Sequence, residues 1–282
     1  TMEVVISKVY RGTPAEEAGL MNGDQVLKVN DIDATSMELS DLVQNIRGDE
    51  GTTVYMMIYR ESTQETLEFN VERRYVELPS IEGEMLANGI GYIQITEFQS
   101  KTAEQFDAMV AELKEQGMKG LILDVRANPG GYLSAVVDIL DSILPEGLLV
   151  YTEDKYGVRK EYNSDSACME MPLVVMIDES SASASEILAG AIKDYEYGTL
   201  IGKTTFGKGI VQNILQLSDG DAVKLTTSKY FTPKGNYIHE VGIAPDIEVE
   251  YEYSGSKEES YQKEYDSQFI KALEIMEGML AQ

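Results

Sequence analysis

Apolar and polar residues follow one another along the chain at strand and helix spacings in a definite order. Val4-Val5-Ile6 opens an apolar strand, Gly12-Thr13-Pro14 makes a turn, and residues 15–18 suit one helical turn ended by Gly19. Gly23-Asp24 is a second turn before a strand at residues 26–30. Over residues 37–46 the apolar positions Leu39, Leu42, Val43 and Ile46 fall three and four apart, as on one helix face, until Gly48 and Gly51 break the pattern. Residues 52–60 are β-branched and aromatic, and Leu67, Phe69 and Val71 alternate as in a half-buried strand. Residues 1–74 thus read as a small module of mixed strand and helix, with 75–90 as a linker or crossover.

From Gly91 to the end, residues 91–282, the pattern is α/β. Tyr92-Ile93-Gln94-Ile95 is a strand. Thr102 starts a helix with the buried stripe Phe106, Met109, Val110 and Leu113; Gln105, three residues on, suits a capping box, and Gly117 stops the helix. Residues 121–125 form an apolar run typical of a strand covered on both faces. The turn Asn128-Pro129-Gly130-Gly131 leads into a helix carrying Val136, Val137 and Leu140. Residues 173–177 repeat the buried strand and 186–195 the helix. The acidic, Tyr-rich stretch 248–264 is expected at the solvated surface, ahead of a last amphipathic helix with Phe269, Ile270, Leu273 and Met276.

Composition narrows the classes. At about 150 residues per domain, 282 residues make one large domain or two ordinary ones. Apolar residues at 43% and charged residues at 26% are globular values, which argues against disorder or a fibre. The longest apolar run, residues 171–177, is far short of the ~20 residues that span a bilayer, and no signal peptide is visible. Against 49 acidic residues stand 23 basic ones, and the net charge of −26 repels phosphate backbones and anionic lipid; no basic patch offsets it. A single cysteine, Cys168, excludes an internal disulfide and any Cys-based zinc cluster. A single histidine, His239, excludes sites built on several histidines, and a Ser-His-Asp triad would have to use it.

Three segments could carry chemistry. Ser180-Ser181-Ala182-Ser183-Ala184-Ser185-Glu186 lies between a buried strand and a helix. It reads either as a tight loop with an N-cap serine or as a nucleophile turn, where a hydroxyl sits at the sheet edge beside free helix amides able to stabilise an oxyanion. Gly202-Lys203-Thr204-Thr205-Phe206-Gly207-Lys208-Gly209 matches the spacing of a phosphate loop, but Gly209 replaces the hydroxyl that would ligate magnesium, and residues 210–217 alternate like a strand. Lys208 reads instead as an exposed turn lysine or as a general base. For the second role burial among few carboxylates must disfavour its charged form, with the flanking glycines packing closely against a nucleophile. Asn128-Pro129-Gly130-Gly131 is a strand-to-helix turn whose glycine amides also let a substrate carbonyl approach.

Two resemblances follow from the order of these motifs. Gly-Thr-Pro-Ala-Glu-Glu-Ala-Gly-Leu at 12–20, with Asn22-Gly23-Asp24 and Val29-Asn30, resembles a PDZ domain of the bacterial protease type. Such domains bind peptide C-termini by strand addition. The Gly-rich strand that supplies their carboxylate loop is expected before Thr1, so the groove is expected to be incomplete. Residues 121–131, 181–191, 205–212 and 232–235 occur in the order seen in the C-terminal processing peptidases, tail-specific serine proteases that join a PDZ domain to a Ser-Lys core.

That resemblance implies a fold with a PDZ module and a crotonase-like α/β serine protease core, in a multidomain chain of α/β and α+β parts. It places the nucleophile on Ser183, the general base on Lys208 and the residue orienting the lysine on Gln212. The oxyanion hole combines the backbone amide of Ala184 with that of Gly130 or Gly131. Ser181 and Ser185 are competing nucleophiles without the family's spacing to the lysine, Asp194 matches a structural acidic residue, and His239 lies outside the catalytic positions. The resemblance further implies an endopeptidase acting near the C-termini of protein or peptide substrates. It implies no metal or cofactor, no nucleic acid partner, and an extracytoplasmic location with any membrane anchor in a preceding segment, and it leaves homo-oligomerisation open. Arg47 reads either as the contact through which the PDZ module gates the site or as an exposed salt-bridging residue on an acidic protein. A catalytically inactive peptide-binding scaffold and a nucleotide-dependent enzyme are the competing classes.

Overall fold

The first strand of the chain is the least formed. In the computed structural model, which describes residues 4–10, 12–76, 78–216, 221–256 and 261–281, the apolar run at 4–6 makes only an isolated bridge between Val5 and Gln25. Two bonds flank that bridge, Ile6 amide to Asp24 carbonyl at 2.9 Å and Val26 amide to Val4 carbonyl at 2.8 Å. The expected strand is thus too short to make a ladder. α1 (Pro14–Ala18) follows, with Pro14 in its first turn and the Thr13 hydroxyl accepting the Glu16 amide. Then come β1 (Gln25–Val29), β2 (Ile32–Asp33), α2 (Leu39–Ile46), β3 (Thr53–Arg60) and β4 (Glu65–Glu72), the strands forming an antiparallel sheet of order β2-β1-β3-β4. Alternate residues Val54, Met56 and Ile58 pack with Val26, Val29 and Leu42 in the core of this unit, residues 1–78.

One buried ion pair ties the turn at Asp24 to the end of β3. Arg60 Nε donates to Asp24 Oδ1 and Arg60 Nη2 to Asp24 Oδ2, both at 2.8 Å, and Nη2 also reaches the Gly19 carbonyl at 2.9 Å. Burial pushes the Asp24 carboxyl up, but the bonds from Arg60 and from the Met21 amide outweigh it and hold the group below the usual carboxylate range. The stability this adds is therefore complete above the ordinary carboxylate pKa and is lost as pH falls through the depressed folded value. Asp24→Asn leaves a buried guanidinium half-paired. It is expected to cost about 3 kcal/mol in denaturant unfolding of the full chain, with a difference from wild type that shrinks in acid.

The second unit, residues 79–282, is built in chain order from β5 (Ile81–Met85), β6 (Ile90–Ile95), α3 (Thr102–Glu115), β7 (Gly120–Asp124), α4 (Leu133–Ile143), β8 (Gly147–Asp154), β9 (Arg159–Ser164), β10 (Leu173–Ile177), α5 (Ala184–Tyr195), β11 (Thr199–Gly202), β12 (Ile210–Gln216), β13 (Ala222–Phe231), β14 (Ile247–Glu248) and α6 (Ser267–Leu280). A six-stranded sheet has the order β14-β11-β10-β7-β6-β5, parallel except for β5. It is covered on both faces, so its central strands are apolar throughout. Leu121, Leu123, Val175 and Ile177 pack with residues of α3, α4 and α5, whereas Ile122, Val174 and Met176 pack with Phe269, Ala272 and Met276 of α6. A second, antiparallel sheet has the order β12-β13-β8-β9.

Four local expectations change. Part of the expected linker, 75–90, is β5, paired to β6; its sequence Ile-Glu-Gly-Glu-Met hides an edge strand with little burial pattern. No capping box joins Thr102 and Gln105. Instead the Thr102 hydroxyl accepts the Gln99 amide at 2.7 Å, and the Gln105 side chain accepts the Ser80 amide at 3.0 Å. Ile270 is 48% exposed, and Ala272 takes its place on the buried face of α6. Within the stretch expected as solvated, Tyr261 donates to the buried Asp266.

Candidate active site

Ser183 closes the turn between β10 and α5 in a strained backbone conformation, φ 56° and ψ −111°. An L residue held there costs of order 1–3 kcal/mol, so the surroundings must impose it. They do so through three bonds. The Ser183 amide donates to Glu186 Oε2 at 2.8 Å, the Ala182 amide donates to the Asn128 carbonyl at 3.0 Å, and the Ser185 hydroxyl donates to that same carbonyl at 2.9 Å. The half-buried Ser183 thus stands at the head of α5, where the Ala184 amide has no partner among the described residues and the helix dipole is positive.

The turn after β7 rises beside this serine because Asn128 is bonded on both sides. Its buried Nδ2 donates to the Ile95 carbonyl and its Oδ1 accepts the Gly130 amide, both at 2.8 Å. A Cβ on Gly130 would lie 2.7 Å from the Ala182 carbonyl oxygen and from Ser183 Cβ, so a side chain there would push the two turns apart. The two glycines left equivalent by the sequence differ here. The Gly130 amide is committed to Asn128. Bonds from the Phe98 amide to the Gly130 carbonyl and from the Tyr132 amide to the Phe98 carbonyl bracket Gly131, whose own amide is unpaired among the described residues.

Arg126 anchors the start of this turn. Its guanidinium bonds Asp124 Oδ2 and Asp266 Oδ2 at 2.8 Å each and Gln268 Oε1 at 2.9 Å, joining the end of β7 to the start of α6. Burial opposes the charge of Arg126, but the two carboxylates outweigh it and the group is held above its ordinary range.

Lys208 lines the same cleft of about 600 Å³ as Ser183, Ala184, Gly130, Gly131 and Gln212. It is half-buried, and its amine makes no ion pair or hydrogen bond among the described residues. No hydrogen bond joins it to the Ser183 hydroxyl, a looseness common before substrate binds. The flanking glycines do not pack against the serine, as the sequence suggested. Gly207, at φ 88°, and Gly209 instead back onto residues 239–241, where added Cβ atoms would fall 3.2 Å from Glu240 Cα and 2.6 Å from the His239 amide nitrogen. His239 meets the Gly207 carbonyl at 3.2 Å through Nδ1 and so serves that packing.

Two residues without an assigned role connect the serine to the lysine. Glu186 is fully buried and accepts four bonds: Ser183 amide (2.8 Å) and Lys208 amide (2.8 Å) on Oε2, Thr205 hydroxyl (2.7 Å) and Gly207 amide (2.7 Å) on Oε1. The Tyr230 hydroxyl lies 3.1 Å from the Ser183 carbonyl and 2.5 Å from the Lys208 carbonyl. Burial, with Glu186 nearby, pushes this phenol far up, so it stays protonated as a donor. Tyr230→Phe leaves a buried carbonyl short of its donor. It is expected to lower kcat about tenfold and stability by roughly 1–2 kcal/mol, read by peptide hydrolysis and denaturant melts.

The remaining candidates separate clearly. Ser181 and Ser185 are fully buried, their hydroxyls donating to the Val125 and Asn128 carbonyls at 2.8 and 2.9 Å, so neither faces the cleft as a nucleophile. Gln212 is exposed, with Nε2 3.5 Å from Thr226 Oγ1, and does not bond Lys208. Asp194 accepts the Lys234 amide at 2.7 Å and pins the Thr232-Pro233-Lys234-Gly235 turn. The loop 202–209 runs into strand β12, so the helix N-terminus a phosphate loop needs is missing there. Arg47, at the end of α2, is exposed on the first unit.

The profile of peptidase family S41 matches residues 89–249 and that of the PDZ domain matches residues 5–60. The chain belongs to peptidase family S41. Among relatives of this S41 chain, a carboxyl-terminal-processing protease of Synechocystis sp. is 36% identical over 286 residues, covering 100% of this chain and 66% of the relative. The carboxy-terminal processing protease CtpB of Bacillus subtilis is 37% identical over 252 residues, covering 88% and 52%. The S41 chain therefore spans between half and two thirds of the length of these relatives. Among solved structures, a photosystem II D1 C-terminal processing protease aligns at a TM-score of 0.56 and 32% identity, covering 88% of this chain and 68% of the other. A putative S41 protease from Bacteroides fragilis shares the fold at a TM-score of 0.69 and 20% identity over 98% and 78%.

Proposed function

We propose that this chain is a serine endopeptidase that cuts protein substrates near their C-termini through Ser183 and Lys208. One observation carries the reading: a strained serine at a helix head and an amine without an ion pair among the described residues line one cleft, held by a shared carboxylate. In this mechanism the unprotonated Lys208 amine takes the Ser183 proton and the hydroxyl oxygen attacks the scissile carbonyl carbon. The Ala184 and Gly131 amides, which have no internal partners among the described residues, receive the oxyanion. Collapse breaks the C–N bond, and the Lys208 ammonium gives its proton to the leaving amine. The neutral Lys208 amine then takes a proton from water, whose oxygen attacks the acyl carbon; the ester bond to Ser183 Oγ breaks, and Lys208 returns the proton to that oxygen. Gln212 borders the cleft as the residue that orients the lysine in the catalytic state.

We propose further that the PDZ module gates this chemistry and that the protein works outside the cytoplasm. Arg47→Ala is expected to abolish stimulation of turnover by peptides with free C-termini, and unchanged stimulation removes Arg47 from that role. The assignment of the dyad is tested by digestion of an unstructured protein with wild type, Ser183→Ala and Lys208→Ala. Cleavage that survives either substitution refutes it.

A further inference from the structure

The cleft contains a second lysine that the dyad does not use. Lys224, on β13, lines it together with Ser183 and Lys208, is exposed, and its ammonium makes no ion pair or hydrogen bond among the described residues. Strand register fixes its place. In the β12–β13 ladder Gln212 pairs with Thr226 and Ile214 with Lys224, and directly paired residues share a sheet face. The 3.5 Å approach of Gln212 Nε2 to Thr226 Oγ1 agrees with that register. Lys224 therefore stands on the face that carries Gln212, two strand steps or about 7 Å further from Lys208. Glu97, the carboxylate among the lining residues, is bonded to Gln99 Nε2 at 3.2 Å and not to Lys224.

An ammonium without a partner among the described residues is notable in a chain of net charge −26, which elsewhere repels acidic ligands. We propose that Lys224 binds a carboxylate of the substrate, placed roughly three to five residues from the scissile bond by the rise of an extended chain, and so sets where the cut falls relative to that carboxylate. The carboxylate is either the terminal α-carboxylate or an Asp or Glu side chain. This inference rests on the reading of Ser183 and Lys208 as the dyad, and it adds a specificity residue to it.

The test uses neutral apolar peptides whose C-terminus lies two to eight residues from the cut, each as free acid and as amide, with amidated peptides carrying one internal Glu or Gln at the same distances. For wild type the ratio of kcat/KM for acid over amide is expected to reach about five at one spacing, through KM, and to fall to about one at the longest. Lys224→Gln should flatten the ratio to about one at every spacing, Lys224→Arg should keep it, and Lys224→Glu should invert it. The internal Glu arm tells a terminal carboxylate from a side-chain one. Should the Gln variant not fold, wild type still decides: a screened pair requires the ratio to shrink between about 0.02 and 0.5 M salt. A wild-type ratio of one throughout for both acid over amide and Glu over Gln, a ratio indifferent to salt, or a ratio unchanged in Lys224→Gln overturns the proposal. Ser183→Ala on the same peptides reads the dyad separately, since residual cleavage there refutes the dyad while the wild-type ratio still reports on Lys224.

Discussion

Lys208→Ala and Ser183→Ala are each expected to lower kcat by at least about 10³-fold on an unstructured protein, with KM little changed. The serine hydroxyl is a weak nucleophile without a base, and Lys208 is the only titratable base among the lining residues apart from Glu97 and Lys224 and the two tyrosines Tyr132 and Tyr230. Because the two groups act in one step, the double variant should be no slower than the worse single one. Lys208→Arg sharpens the test. A guanidinium keeps the positive charge but does not give up its proton, so it should be as inactive as alanine if the lysine is a base. Activity in the Arg variant would mean that Lys208 acts by charge alone.

The second large effect is expected at Glu186. Glu186→Gln keeps the volume but turns one acceptor oxygen into an NH₂ group, which then faces at least one backbone N–H donor whichever way the amide is turned. On one side these are the Ser183 and Lys208 amides, and on the other the Gly207 amide, where the Thr205 hydroxyl can turn to accept. Leaving a buried N–H donor unpaired and removing the charge of the acceptor should cost roughly 3 kcal/mol of stability in denaturant melts. The serine and the lysine loop would also lose their common anchor. A misplacement of about 1 Å is enough for a loss of about 10² in kcat, so activity should fall well beyond what unfolding explains. Normal kcat in a folded Glu186→Gln variant would show that this carboxylate does not position the site.

Residues near each other in sequence were readable, and those joined only by folding were not. The segment 180–186 could be singled out because it lies between five buried strand residues and a helix, and the family resemblance then pointed to Ser183 within it. Lys208 could be separated from a phosphate-loop lysine because the alternation after it is that of a strand, which β12 bears out. Glu186 looked like an ordinary first-turn acid, since its partners Thr205, Gly207 and Lys208 lie 19 to 22 residues away. Nothing near Tyr230 in the sequence marks it, and its two carbonyl partners are 47 and 22 residues distant. β5 escaped because a mostly half-buried edge strand has no apolar alternation.

By itself the amino-acid order determined the class of the molecule. Buried strands must be apolar on both faces and helices on one, so periodicity carries the α/β unit and the smaller module before it. Only the folded chain shows which of several chemically equal groups are already committed to internal hydrogen bonds. Gly130 and Gly131 are the same residue type, but the Asn128 side chain occupies one amide, while the other has no partner among the described residues. Ser181, Ser183 and Ser185 are also alike, but burial commits two hydroxyls to backbone carbonyls. Hydrogen bonding saturates locally, and which donor is already satisfied depends on partners that only tertiary packing brings within 3 Å.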